Sequence, residues 1–98
     1  MISLTAVLRV KKGHEAEVKA ALIRVVDHVR ANEPGTIAYY AGQDAKDPQV
    51  FNTYERYADM AALEAHNNSA AVAEFFSIAQ PVLDGDPVVV ISEEIAEK

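Results

Sequence analysis

Tyr54-Glu55-Arg56-Tyr57-Ala58-Asp59-Met60-Ala61-Ala62-Leu63-Glu64-Ala65-His66 is the stretch whose reading decides the fold. Its first four residues close a run, Val50–Tyr57, in which Phe51, Thr53, Glu55 and Tyr57 share one face of a strand. Asp59 then stands where a helix needs an N-cap, because its carboxylate can accept from the unpartnered N–H groups of the first turn. Met60, Leu63 and Asn67 fall on one side of the helix that follows. His66, three residues after Leu63 and four after Ala62, faces the same interior side. A strand therefore delivers the chain into a short helix that presents one histidine inward.

Working outward, residues 36–43 form a second strand, joined to Val50–Tyr57 by the polar turn Asp44-Ala45-Lys46-Asp47-Pro48-Gln49, so the pair reads as a hairpin. Before it, Val18, Leu22, Val25 and Val29 recur at helical spacing, with Glu15 and Lys19 as a favourable pair one turn apart. Gly13 and His14 open that helix, and Asn32 and Pro34-Gly35 end it. Residues 2–10 alternate, with Ile2, Leu4, Ala6, Leu8 and Val10 on one face. After the central helix, Asn67-Asn68-Ser69 interrupts, and Ser69 can cap a further helix to Gln80 carrying Val72, Phe75, Phe76 and Ala79. Pro81 stops it, and Asp84-Gly85-Asp86-Pro87 turns into a last strand over 88–95.

The order β-α-β-β-α(α)-β predicts an α+β, ferredoxin-like domain over residues 1–98: an antiparallel sheet with helices on one face. Two strands are apolar on both faces, Val88-Val89-Val90-Ile91 throughout and Ile37-Ala38-Tyr39-Tyr40-Ala41 nearly so. Continuous apolar runs imply burial on both sides, and the helices can cover only one. A homodimer packed through the sheets, a dimeric α+β barrel, is the expectation; the plainer reading is a Val-rich terminal strand set by β propensity.

Composition removes several classes of function. No cysteine is present, which excludes disulfides and thiolate chemistry. A formal charge of −6, with scattered Lys and Arg, disfavours nucleic acid. No apolar run is long enough for a membrane span, and the chain enters a strand pattern without a basic start, so a cytoplasmic location is expected. No phosphate loop or dinucleotide fingerprint occurs. The three histidines are far apart and form no metal-binding pair.

The opening stretch resembles the Glu-x-Trp…Leu-Glu-Ala-His segment of the antibiotic biosynthesis monooxygenase family. Lys12-Gly13-His14-Glu15-Ala16-Glu17-Val18 is similar to that family's entry into helix one, and Glu33-Pro34-Gly35-Thr36-Ile37-Ala38-Tyr39 to its entry into strand two. The resemblance implies a small dimeric ferredoxin-like protein, several of whose relatives oxidise quinols, anthrones or other polyphenols without a cofactor. Haem-degrading relatives use an Asn, a Trp and an axial His at positions that fall on Ala6, His66 and Phe76 here, so no haem is expected. Two departures concern the substrate: the usual Trp is Tyr57, and a second His found in many quinol-oxidising members is Ala71.

His66 is the first catalytic candidate, as a base for an acidic phenol or enol; the alternative is a helix-end histidine bonded to a backbone carbonyl. Glu55 is the second, because a carboxylate between apolar neighbours needs a partner and His66 could supply it. Its alternative partners are Arg56 or Arg9 at a dimer seam. Tyr57 completes the catalytic set. Tyr39, Phe51, Val72, Phe75 and Phe76 are the substrate-binding candidates, with ordinary core packing as the alternative. His14 and His28 receive no role. Two functions stay open: a cofactor-free monooxygenase of a small polyphenol, and a non-oxidative binding, proton-transfer or detoxifying member of the same fold. No cofactor or metal is expected for either.

Overall fold

The alternation over residues 2–10 places β1 (Ile2–Arg9) at the interior of the sheet, which is why one of its faces is so regularly apolar. The computed structural model describes all 98 residues. After β1 come α1 (Glu15–Asn32), β2 (Thr36–Gln43), β3 (Val50–Tyr57), α2 (Met60–Asn67), α3 (Ala70–Ala79), a 3₁₀ turn (Gln80–Val82) and β4 (Val88–Glu93). The strands lie in the order β2-β3-β1-β4 with every neighbouring pair antiparallel. This is the ferredoxin-like α+β fold.

One apolar cluster joins Leu8 and Val10 to Phe51, to the α1 stripe Val18, Ala21, Leu22, Val25 and Val29, and to Phe75 and Ala79 of α3. A smaller cluster, Leu4, Tyr57 and Leu63, seats α2. The two short helices begin as their sequences require. The Asp59 carboxylate accepts from the N–H of Ala62 at 2.9 Å, and Ser69 Oγ accepts from that of Val72 at 3.2 Å. Gly35 allows α2 to approach the start of β2, since a Cβ there would lie 2.9 Å from that of Ala62.

Three details differ from the sequence expectation. β4 ends at Glu93 rather than residue 95, because β1, its only partner, offers nothing to pair beyond the Glu94 N–H bond to the Met1 carbonyl. Met60 is half-exposed, because the inward line of α2 runs through Leu63 and His66. Val88 to Ile91 are all at least half-exposed on this chain, so the helices cover β4 on neither face.

Candidate active site

Register across the sheet brings the site together. One row runs Tyr39, Glu55, Leu4, Ile91, and the next runs Ala41, Thr53, Ala6, Val89. Side chains in a row share a face, and here that face is the one under the helices. Small Ala6 leaves room at the centre. Leu22 and Val25 of α1 and Val72, Phe75 and Phe76 of α3 form the opposite wall. The result is a cavity of about 190 Å³, apolar except for Tyr39, Thr53, Glu55 and Asn67, with half-exposed Val89 and Ile91 on its β4 side.

Glu55 is the only charged group in that lining, and it is 4 % exposed. A lone carboxylate buried this far would cost several kcal/mol, so its partners matter. Tyr57 Oη donates to Oε1 at 2.5 Å and Thr53 Oγ1 donates to Oε2 at 2.6 Å. Both are charge-assisted bonds from groups one pleat away on the same strand. Burial first, and then the neighbouring Glu55 carboxylate, push the Tyr57 and Tyr39 phenols well above their ordinary value. Both hydroxyls therefore stay protonated and act as donors.

His66 lies behind Glu55 rather than in the cavity wall. Its ring sits between those of Tyr39 and Tyr57, with centroids 5.4 and 5.5 Å away. Nδ1 is 2.8 Å from Glu33 Oε1, and Nε2 is 3.8 Å from Glu55 Oε1. The first is a hydrogen bond; the second is within ion-pair reach but too long for one. Nδ1 thus meets the Glu33 carboxylate, and Nε2 faces Glu55. Glu33 also accepts from Thr36 Oγ1 at 2.8 Å, and His28 Nε2 lies 3.1 Å from its Oε2. The imidazole bonds a carboxylate, not a backbone carbonyl.

Of the sequence candidates, Tyr39, Glu55, Val72, Phe75 and Phe76 meet in the cavity lining. Tyr57 and His66 support Glu55 from beneath and behind. Phe51, 2 % exposed, belongs to the core beside a separate recess bounded by Lys19 and Ile23. Neither arginine considered for Glu55 reaches it: Arg9 pairs with Asp47 at 3.0 Å and Arg56 with Glu94 at 2.7 Å. Sequence reading missed Glu33 and His28. Glu33 was read only as the start of the Glu33-Pro34-Gly35 entry into strand two; its side chain acts on the far side of the loop it begins. No three His, Asp or Glu side chains converge to hold a metal ion. Glu33 and Glu55 approach opposite ring nitrogens of His66 and so stand in line with it, not around a centre.

The sequence model of the family described as antibiotic biosynthesis monooxygenase matches residues 1–78. Among solved structures, a candidate antibiotic biosynthesis monooxygenase from Caulobacter crescentus is 26 % identical, with a TM-score of 0.89, covering 97 % of this chain and 90 % of its own. An antibiotic biosynthesis monooxygenase at 25 % identity covers 98 % of this chain and 100 % of its own, with a TM-score of 0.90. A Pseudomonas aeruginosa protein at 26 % identity covers 97 % and 94 %, with a TM-score of 0.87. No curated protein matches the chain. Matched by the family model over most of its length, this chain belongs to the antibiotic biosynthesis monooxygenase family.

Proposed function

We propose that the protein is a cofactor-independent monooxygenase that oxidises a small quinol, anthrone or other polyphenol with dioxygen. The observation that carries this reading is Glu55: a buried carboxylate, hydrogen-bonded and backed by His66, in the wall of an otherwise apolar cavity. A phenol or enol bound against Phe75 and Phe76 gives its proton to Glu55, while Tyr39 donates a hydrogen bond to the oxyanion left behind. The electron-rich anion reduces dioxygen itself. For an anthrone, the ring methylene and one dioxygen become a ring carbonyl and one water. One oxygen atom enters the carbonyl, the other leaves as water with both methylene hydrogens, and the substrate supplies every electron. At about 190 Å³ the cavity is below the usual range for drug-sized ligands, which favours a compact aromatic.

The working form in this proposal is a homodimer. Val7, Tyr40, Tyr54, Val88 and Val90 are exposed on the sheet face away from the helices, and Tyr40 stacks on Tyr54 with ring centroids 6.4 Å apart. A second copy packed there buries this face.

One observation favours a second reading, proton transfer without oxidation: no cationic side chain lines the cavity to hold reduced oxygen. Oxygen uptake with a panel of quinols and anthrones separates the two. The oxidative reading expects uptake that Glu55→Gln lowers by about 10²–10⁴-fold, the scale of general-base catalysis. Absence of uptake, or an unchanged rate in Glu55→Gln, rejects it.

A further inference from the structure

Behind Glu55 stands an arrangement that a single base does not require. His66 Nε2 faces Glu55 at 3.8 Å, His66 Nδ1 meets Glu33 at 2.8 Å, and Glu33 Oε2 lies 3.1 Å from His28 Nε2. Along this line the side chains are 5, 4, 13 and 32 % exposed, from Glu55 through His66 and Glu33 to His28. The line ends at a recess of about 390 Å³, separate from the cavity and bounded by His28, Asn32, Glu33, Ala65, His66 and Ser69. Glu33 Oε2 is buried without a hydrogen bond, although His28 Nε2 lies 3.1 Å away. A buried carboxylate oxygen left free in this way is costly and calls for a reason. Tyr39 and Tyr57, the other titratable groups against His66, are held as neutral donors and do not interrupt the line.

We propose that Glu55, His66, Glu33 and His28 form a proton conduit from the apolar cavity to the surface recess. The proposal rests on Glu55 accepting a proton in the cavity, and it adds where that proton goes. The substrate O–H bond breaks and Glu55 gains the hydrogen. Two acceptors that stood apart at 3.8 Å then become a donor and an acceptor, and the gap closes to an O–H···N bond. His66 takes the proton on Nε2 and gives the one on Nδ1 to Glu33. Glu33 passes it to His28 Nε2, and His28 releases the hydrogen on Nδ1 to solvent. Asn32, whose amide nitrogen lies 3.3 Å from that Nδ1 and donates to the His28 carbonyl at 3.2 Å, borders this exit. Each ring returns to its starting tautomer between turnovers. For an anthrone the proton comes back along the same line to the oxygen reduced in the cavity, so the water formed carries both methylene hydrogens and each tautomer is restored; no electron moves along the line.

The test mixes purified protein with 4-nitrophenol in weak buffer, at a pH where the free phenol is protonated. Stopped-flow absorbance follows the bound phenolate while a second indicator follows protons reaching the solvent. In the wild type, release keeps pace with phenolate formation. In Glu33→Gln and in His28→Gln, phenolate still forms but release lags by about a hundredfold, the lower end of what a positioned proton-transfer group contributes. Added imidazole, entering the recess, restores release in His28→Gln. His28 is partly exposed at the surface, so that variant keeps the test intact if Glu33→Gln folds poorly. Release that keeps pace in His28→Gln overturns the conduit while leaving Glu55 as the base. No phenolate in the wild type, or equal phenolate in Glu55→Gln, overturns the base itself and the conduit with it.

Discussion

Replacing Tyr57 by Phe removes one oxygen from a fully buried side chain and leaves its ring packed on Leu4 and Leu63. The lost contact is the 2.5 Å hydrogen bond to Glu55 Oε1. A hydrogen bond to a charged group contributes about 1.5–3 kcal/mol. For a domain of this size each kcal/mol moves the midpoint by about 4–8 °C, so Tm should fall by roughly 6–24 °C. The stronger measurement is a double-mutant cycle with Glu55→Gln, by urea melts at pH 7 and one fixed protein concentration. Against a neutral amide the same hydroxyl contributes only about 0.5–1.5 kcal/mol, which leaves a coupling of roughly 1–1.5 kcal/mol. Coupling below about 0.3 kcal/mol, the scatter of independent sites, would refute a charged Glu55 held by Tyr57.

Alkali should unfold the protein through Tyr39 and Tyr57. Both native phenols are raised, so stability is intact below the unfolded tyrosine value near 10 and declines above it by about 1.4 kcal/mol per pH unit for each. Tyrosinate absorbance from two of the four tyrosines should therefore appear only as circular dichroism is lost, and ionisation of all four in the folded state would contradict this. Gly35→Ala should cost about 1–3 kcal/mol by forcing Ala62 away, and it should loosen the Glu33–His66 bond; an unchanged melt would mean that the loop simply yields. Light scattering at micromolar protein should give twice the 10.7 kDa chain mass, and Val90→Lys, on the open sheet face, should reduce it to one; a monomeric wild type rejects the dimer.

The fold was legible wherever local chemistry and period agreed. Asp59 and Ser69 cap the helices their positions require, and β2 and β3 occupy residues 36–43 and 50–57 on either side of the polar turn that joins them. The site was legible only along single elements. Phe51, Thr53, Glu55 and Tyr57 share a face by strand period, and three of them form the Glu55 cluster. Which element covers a given stretch of that face is a tertiary matter: Phe51 meets α1 and becomes core, while Glu55 meets a gap and becomes cavity wall. The inward side of α2 was correct for His66, but inward there means toward Glu33 and the tyrosine rings. Helical period fixes a direction, not what stands at the end of it. Glu33 and His28 were out of reach for the same reason, since their link to His66 spans a loop and has no sequence period.

The proposed oxidation turns on an anion formed at Glu55 reacting directly with dioxygen, and isotope incorporation tests that most directly. Anthrone is incubated with the purified protein under heavy-isotope dioxygen, and the product is weighed by mass spectrometry, with Glu55→Gln in parallel. The expected result is one heavy oxygen atom in the product carbonyl and one in water, formed without added reductant, metal or flavin and nearly lost in Glu55→Gln. A product without heavy oxygen, or labelling that persists unchanged in Glu55→Gln, would contradict it.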